Sequence, residues 1–492
     1  MARPIWRRFC RVIRMEFSAL PDEVLLHALT FLTPATLLRC RAVCRRWKQL
    51  ALHPLVWRSQ TLRISGGRNT NKGMARHRQL RLATVVLRLA PCLGLLKVSD
   101  FGKVFDVVGP ALINNSKFSL YDLDISFRSS DAFMVAMVLD RQASFGRLKA
   151  VRLRVLGHAS QDAAVRRLGG LLLQLIRTPG LQSVEISIPS MPGDVTLPPL
   201  ERPVLVSASL QRLSFVYNRG YFDLHLCVLL KLHTATLEEV KIATFDAHAA
   251  FLLSRMPRLR KLQCTVMDAM PLLQHCPSLR ALRLDLRVDA GLHSTRARLS
   301  GLAAFLRAAG TRLHSVELVF GDDKPDELVD VVACLGGPGT ASAALRRLAF
   351  SHSVTEDAEK PLLPLASILE HLPDLTFLDI DCVATDAFLE ALDGSVLPQL
   401  LGLAVYLPRD VCKHVWSHGQ RLRAVLRKNP RLHVVMKGND CDEFCVCEFC
   451  QQYTCHHVPG DLKCIMYSHP TGARCGLLHD AHLEMRVFCR WF

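Results

Sequence analysis

Eight of the eighteen cysteines lie between Cys441 and Cys489, in a segment that begins CDEFCVCEFCQQYTCHH. Closely spaced thiolates and imidazoles are the ligands that a tetrahedral zinc site needs. The spacing fits no zinc finger or ribbon pattern, so the alternative is a cysteine-rich segment that caps the preceding domain. The sequence requires no other cofactor. For a zinc ion we predict these ligands: Cys447, Cys450, Cys455 and His457.

A second chemically rich stretch is VCRRWKQLALHPLVW, from Val43 to Trp57. It contains one thiol, four basic side chains and two of the five tryptophans of the chain. Such a composition suits a nucleic-acid patch, part of a metal site, or a helix that docks on a protein. The metal interpretation fails because no second ligand lies at helical or loop spacing. The other two interpretations stay open at this point.

The sequence shows no pattern typical of an enzyme. A phosphate-binding glycine loop, an H-E-x-x-H motif and a G-x-S-x-G motif are all absent, which predicts a non-catalytic protein. Lys and Arg number 62 against 44 Asp and Glu, and this surplus of 18 favours acidic partners such as nucleic acid or an acidic protein. No window supplies the roughly 18 consecutive apolar residues of a membrane span, so we expect no membrane partner. Eighteen cysteines without a secretion signal indicate the cytoplasm and/or nucleus.

The elements that must position the second stretch are short helices. Ser18 can cap a first helix whose first turn tolerates Pro21, and Thr33 caps a second helix. A third helix runs from Cys44 to Leu52 and ends before His53-Pro54, because a residue that precedes proline disfavours helical geometry. Three helices in about 45 residues form a core too small to supply much stability alone. We therefore expect this module to bind a partner.

These helices, over residues 17–63, resemble an F-box. The resemblance rests on a Leu-Pro-x-Glu opening, a leucine pair in the first helix, Val-Cys-x-x-Trp in the third helix and a closing tryptophan. It departs at Ala28, where the family usually has Ile, and at Val56, where Leu usually precedes the tryptophan. The resemblance implies docking on a Skp-type adaptor and, through it, on a cullin–RING ubiquitin ligase. It implies adaptor contact for Leu20, Pro21, Glu23, Leu25, Leu29, Leu32, Leu37, Leu38, Val43, Cys44, Trp47 and Trp57.

The members of this set differ in their expected roles. We expect Leu20, Pro21 and Trp47 at the interface, because apolar and aromatic anchors fill the pockets of a partner. Cys44 is expected to be a small buried apolar residue. Residues 1–63 contain twelve Lys and Arg against three Asp and Glu, which would steer an acidic adaptor to this surface. Three further members suit a core as well as an interface: Leu25, Leu29 and Val43.

Beyond residue 80 an apolar-x-x-apolar-x-apolar pattern recurs at intervals of 20 to 34 residues. The intervals centre near those of leucine-rich repeats, and helical stretches lie between the segments. Prolines such as Pro179 and Pro257 precede several of the starting leucines by two residues, where proline ends a helix. Each segment predicts a strand, and the twelve segments start at Leu120, Leu148, Leu181, Leu210, Leu237, Leu259, Leu279, Leu313, Leu345, Leu375, Leu400 and Leu432.

The predicted fold class is α/β. We expect a small all-α F-box followed by an irregular leucine-rich-repeat solenoid, with parallel strands on the concave side and helices on the convex side, and then a Cys-rich C-terminal segment. The alternative is an ordinary α/β domain. The predicted boundaries are a basic N-terminal extension over 1–16, the F-box over 17–63, a linker over 64–80, the repeats over 81–438 and the Cys-rich segment over 439–492.

The repeat region resembles the leucine-rich repeats that accompany F-boxes in the substrate receptors of ubiquitin ligases. This resemblance implies a substrate-recognition subunit, in which the F-box docks on the adaptor and the repeats bind an unknown protein substrate. The alternative function is nucleic-acid binding through the basic surface and a zinc-binding tail.

Overall fold

The structure is a computed structural model of the 492-residue chain. It divides into two compact units, Met1–Thr236 and Leu237–Phe492. The described residues are 20–65, 73–99, 104–157, 162–188, 206–217, 222–286, 295–320, 331–335, 344–352, 362–380, 384–392, 394–406, 420–437, 464–467 and 487–490.

The first unit begins with four short helices, which we call the helical module (residues 20–60). Thr33 accepts a hydrogen bond from the Thr36 backbone N–H, as the predicted cap requires, and helical geometry starts at Pro34. Cys44 and His53 cap the next two helices in the same way. The third helix thus has the predicted ends, and the sequence reading missed the fourth. The helices are α1 (Asp22–Thr30), α2 (Pro34–Cys40), α3 (Arg45–Ala51) and α4 (Pro54–Arg58).

A parallel sheet follows the helical module in the first unit. Its strands pair in parallel and in chain order from β1 to β6. The strands are β1 (Thr61–Ser65), β2 (Cys92–Ser99), β3 (Ser119–Arg128), β4 (Ala150–Leu156), β5 (Ser183–Ser187) and β6 (Arg212–Val216).

The helices between these strands form one layer, because each packs against the next. Alternate strand residues face the buried side, where Leu123, Val151, Val184 and Leu213 form a continuous apolar row at successive register positions. The helices are α5 (Gly73–Leu89), α6 (Phe105–Asn114), α7 (Ala132–Ala143), α8 (Asp162–Arg177) and α9 (Asp223–Leu232).

The second unit repeats the strand–helix alternation. Strands β7 to β14 pair in parallel and in chain order, β15 pairs antiparallel with β14, and β16 pairs parallel with β15. The strands are β7 (Glu239–Ile242), β8 (Lys261–Thr265), β9 (Ala281–Asp285), β10 (Ser315–Phe320), β11 (Arg347–His352), β12 (Phe377–Ile380), β13 (Gly402–Tyr406), β14 (His433–Lys437), β15 (Cys464–Tyr467) and β16 (Val487–Arg490).

The connections of the second unit contain α-helices and short 3₁₀ helices. The α-helices are α10 (Ala247–Ser254), α11 (Thr295–Ala309), α12 (Leu362–Ile368), α13 (Asp386–Ala391) and α14 (Gln420–Lys428). The 3₁₀ helices cover Met270–His275 and Leu369–His371. Among the described residues, none of the helices is both long and apolar enough to cross a bilayer.

The predicted strands are confirmed at all twelve segments, which correspond to β3 through β14. The predicted linker over 64–80 was wrong in two places. Ile64 and Ser65 belong to β1, which pairs with β2, and α5 begins at Gly73. The sheet therefore starts inside the predicted F-box range rather than after a linker, and the sequence reading missed its first two strands.

Candidate docking surface

The helical module exposes large apolar side chains. Of the eleven large apolar side chains that are exposed among the described residues, four belong to it: Val24, Phe31, Val43 and Leu55, with exposed fractions of 50, 75, 65 and 59%. Helical spacing places Val24 and Phe31 on one face of α1, together with Pro21 and the exposed Ala28. We call Pro21, Val24, Ala28 and Phe31 the α1 stripe. Its exposure leaves an apolar surface free for a partner.

A second face of α1, about 100° round the helix from the stripe, contributes to the core of the module. Leu25 and Leu29 are buried there, so these two residues belong to the core rather than to the interface. Leu37 and Trp57 are also buried, and the Trp57 indole N–H donates to the Ala51 carbonyl at 2.7 Å. These four side chains hold the helices together and are not accessible to an adaptor in this structure. The implied contact from Leu37 and Trp57 is thus corrected to a packing role.

The other residues of the predicted contact set reach the surface. Val43 is exposed, so the core alternative was wrong for it. Cys44 was expected to be buried and is exposed instead, where its sulfur accepts from the Trp47 backbone N–H at 3.5 Å. A turn between α2 and α3 places both residues outside the core. Pro21 and Glu23 are exposed as well, and four members are half-buried: Leu20, Leu32, Leu38 and Trp47.

Arg46 fixes the start of the α1 stripe. Its guanidinium lies 2.6 Å from the Asp22 carboxylate, and it donates to the Leu20 carbonyl at 2.5 Å. These bonds connect α3 to the first turn of α1, which begins after Pro21 without a side-chain cap. Arg46 was not singled out from the sequence, because nothing local relates it to residues more than twenty positions away.

The surface of the helical module is basic. Residues 20–63 contain seven Lys and Arg against Asp22 and Glu23, a surplus of five, and Asp22 is engaged by Arg46. Arg39, Arg45 and Lys48 are exposed on α2 and α3. An acidic partner would be attracted to this basic module, and the attraction would weaken as salt is added.

The helical module joins the sheet by close backbone contacts. The Leu95 N–H donates to the Gln60 carbonyl at 3.1 Å, and the Gln60 amide donates to the Thr30 carbonyl at 3.0 Å. Gly94 lies so near α4 that an added Cβ would stand 2.2 Å from the Arg58 carbonyl oxygen. These contacts make the module and β2 one packed body within the first unit.

A second candidate surface is the sheet face opposite the helix layer. Adjacent strands place opposite charges side by side: Lys97 lies 2.9 Å from Asp124, and Arg152 lies 3.6 Å from Glu185. Burial raises the pKa of Asp122 above its usual value, and nearby Arg152 and Arg212 partly offset this. In the second unit, Arg283 and Glu317 form a similar pair at 2.8 Å. Each of these three ion pairs joins neighbouring strands within one unit.

The predicted zinc ligands Cys447, Cys450, Cys455 and His457 lie outside the described residues, as does the N-terminal extension. Within the described ranges, no group of three or more His, Cys, Asp or Glu side chains could hold a metal ion. Cys264 and Cys276 are buried, and burial raises the pKa of both thiols. These thiols are parts of the core.

The F-box-like family model matches residues 17–63, which cover the helical module and the start of β1. Over 63 residues the chain is 41% identical to F-box only protein 17 of Rattus norvegicus. The matched stretch covers 13% of this chain and only a quarter, 25%, of that protein. The match and the helical geometry agree on the same part of the chain: residues 17–63 form an F-box-like domain.

Proposed function

We propose that the chain is a substrate-recognition subunit of a cullin–RING ubiquitin ligase. F-box domains in general bind Skp-type adaptors of these ligases and act as non-catalytic adaptors. The observation that carries the proposal is the exposed α1 stripe in a module with a surplus of basic side chains, in the segment that matches the F-box-like family. The apolar stripe supplies contact area, and the cations attract an acidic partner.

Adaptor contact is assigned to residues that reach the surface. The α1 stripe would contribute Val24 and Phe31, and the turn before α3 would contribute Val43. Half-buried Leu20 and Trp47 would lie at the edge of the contact, where partial exposure still leaves area to bury. Two of these residues, Val24 and Phe31, enter the proposal from their exposure rather than from the sequence resemblance.

The strand–helix region is proposed to be an irregular leucine-rich-repeat solenoid that binds the protein substrate. Its support is that twelve apolar-x-x-apolar-x-apolar segments are all strands, paired in parallel and in chain order within each unit. The ligase reaction would depend on proximity: the receptor raises the concentration of the substrate near a charged ubiquitin-conjugating enzyme. The close contacts around Gly94 favour this role, because they keep the substrate surface of the first unit at a fixed distance from the adaptor.

The adaptor arm of the proposal is tested with the purified full chain and a purified Skp-type adaptor. The variant carries Val24→Ser and Phe31→Ser, and the matched control carries Leu224→Ser and Phe251→Ser, whose side chains are 46 and 47% exposed. We expect the first variant to weaken binding in interferometry by more than about ten-fold, and the control to bind like the intact chain. Equal loss in both variants, or no binding by the intact chain, would overturn the proposal.

The substrate arm is tested in cells by proximity labelling. The comparison is between the intact chain and the Val24→Ser, Phe31→Ser variant, because deletion of residues 1–63 would also remove part of β1. Substrates should accumulate around the variant, which holds them without delivering them for ubiquitin transfer. Labelled proteins that do not change in abundance would contradict the substrate-receptor role.

Nucleic-acid binding stays the second prediction from the sequence. Its two supports are the basic surface and a zinc-binding tail, and the predicted zinc ligands of that tail lie outside the described residues. It predicts binding to a labelled oligonucleotide that falls steeply with salt.

A further inference from the structure

The helix layer of the first unit contains a groove that the F-box docking leaves unused. It lies between α7 and α8, with Ile113 of α6 at one side, and has a volume of about 690 Å³. This volume is in the range of sites that hold a large side chain or a small ligand. The groove lies on helices that contribute nothing to the α1 stripe.

The floor of the groove is apolar. Phe133 and Met137 are one helical turn apart on α7, and their side chains are 69 and 42% exposed. Leu171 of α8 adds a further apolar wall. Exposed aromatic and methionine side chains in a concave site are typical of surfaces that receive an apolar anchor from a partner.

The rim of the groove is positively charged. Arg141, Arg166 and Arg167 line it, against the single acid Asp140, whose carboxylate accepts from the Gln174 amide at 2.9 Å. No ion pair connects these three arginines to an acid among the described residues. The Nε of Arg141 is buried without a hydrogen-bond partner in that same part of the chain. The groove thus presents cationic donors around an apolar floor.

Gly170 of α8 lines the groove and has no side chain to fill it. An added Cβ there would meet no atom within 4 Å, although glycine weakens a helix interior relative to alanine. A Cβ at position 170 would therefore project into open space beside the groove. This gives a way to block the site from inside the helix.

From this geometry we propose that the groove binds an acidic segment of a partner protein. A large apolar side chain of that segment fills the space over Phe133 and Met137, and flanking carboxylates pair with Arg166 and Arg167. Charge complementarity selects this occupant, because arginine donors pair with carboxylates. A second copy of the chain is disfavoured by its net charge of +18. A nucleic acid would satisfy the arginines and could stack one base on Phe133, but it would leave Met137 and Leu171 without an apolar anchor.

The test uses the full chain and a fluorescent amphipathic peptide with leucines and one phenylalanine on one helical face and glutamates on the other. Anisotropy titration gives its affinity. Two further peptides replace either the glutamates by lysines or the apolar residues by serines. We expect only the first peptide to bind, and its affinity to fall as salt is added. Absence of binding by the first peptide, or equal binding by all three, would overturn the proposal.

Variants then locate the binding site. Arg166→Glu with Arg167→Glu should weaken binding by about ten-fold or more, and Gly170→Phe should do the same by occupying the groove. The matched control is Arg81→Glu with Arg88→Glu, which changes as much exposed charge on α5 and should bind like the intact chain. Arg166→Gln with Arg167→Gln is the alternative if the charge reversal unfolds the first unit.

Several outcomes contradict the groove as the site. One is equal loss in the α8 and α5 variants, which would indicate attraction to the overall charge. Another is full binding by Gly170→Phe. Tighter binding of a labelled single-stranded oligonucleotide than of the acidic peptide, lost with the same two arginines, would assign the groove to nucleic acid instead.

Discussion

The helical module and the parallel sheet of the first unit differ in how completely they bury their apolar side chains. In the sheet, the row from Leu123 to Leu213 is buried on every strand that it crosses. In the module, α1 buries Leu25 and Leu29 but exposes Val24 and Phe31 on its other face. A module of about forty residues cannot cover both faces of its helices, whereas stacked strand–helix units cover one another. The module therefore leaves an apolar stripe beside its own core, whereas the exposed apolar side chains of the helix layer, such as Phe133 and Met137, lie outside the core of the sheet.

The largest effect should come from replacing Trp57, the buried tryptophan of the module, and the comparison is with the half-buried Trp47. Trp57→Ala removes a buried ring and its hydrogen bond to Ala51, and we expect the free energy of unfolding of the first unit to fall by about 3–5 kcal/mol. Trp47→Ala removes a half-buried ring at the surface and should cost much less stability. Hydrogen exchange over residues 20–65 measures the first effect.

Adaptor binding by the same two variants sharpens the contrast. Trp47→Ala should lose adaptor affinity while it keeps the hydrogen-exchange protection of the intact chain. If Trp57→Ala kept full protection of the module, the description of its core would be wrong. If Trp47→Ala bound the adaptor normally, Trp47 would be removed from the proposed contact.

The next effect tests whether the module and the sheet are one body. Gly94→Ala places a Cβ about 2.2 Å from the Arg58 carbonyl, so the backbone must move. We expect about 1–3 kcal/mol of destabilisation, and faster hydrogen exchange in β1 and β2. Gly170→Ala is the matched control, because its Cβ meets open space and should leave exchange unchanged or slower. Similar effects in both variants would mean that Gly94 does not report on this junction.

The sequence predicted the elements whose signals are local. Thr33-Pro34 sets a helix start through a side-chain cap and the fixed φ of proline, His53-Pro54 ends the third helix, and the repeated apolar segments give strands. It missed β1 and β2, whose pairing depends on contacts between Thr61–Ser65 and Leu95–Ser99. The basic first half of α5 reads as a linker, and packing in the helix layer makes it a helix instead.

The position of the candidate site along the chain was predictable from the sequence, but only some of its residues were. The resemblance identified Leu25 and Leu29 of α1 but could not tell which face of this helix is covered, so it left out Val24 and Phe31. It also implied adaptor contact for Leu37 and Trp57, which are buried. The role of Arg46 requires α3 to lie beside the start of α1, which no local pattern encodes. The groove between α7 and α8 was not predicted either, because it depends on how two helices distant in sequence pack together.

A smaller effect is expected from Arg46, which connects α3 to the start of the α1 stripe. Arg46→Gln removes the ion pair with Asp22. It also replaces the side chain that donates to the Leu20 carbonyl with a shorter one. Both partners are partly exposed, so we expect about 1 kcal/mol or less of lost stability and a moderate loss of adaptor affinity. The control is Arg45→Gln, an exposed neighbour. If both variants bound the adaptor with equal affinity, the bonds from Arg46 to Asp22 and Leu20 would not be what positions the α1 stripe.

The smallest effect should appear only in the sheet region, as a dependence on pH. The His233 Nδ1 accepts from the Ser209 and Leu210 backbone N–H groups, so the folded state holds this ring neutral. Burial lowers the pKa of His233, so between that value and about 6.5 the unfolded chain binds the extra proton. Stability is therefore highest above pH 6.5 and decreases as the pH falls below it. Hydrogen exchange over residues 206–217 should speed up at low pH beyond its intrinsic trend, and His233→Asn, which keeps an acceptor, should remove this excess. A change confined to residues 20–65 would place the pH sensitivity in the helical module and contradict the assignment.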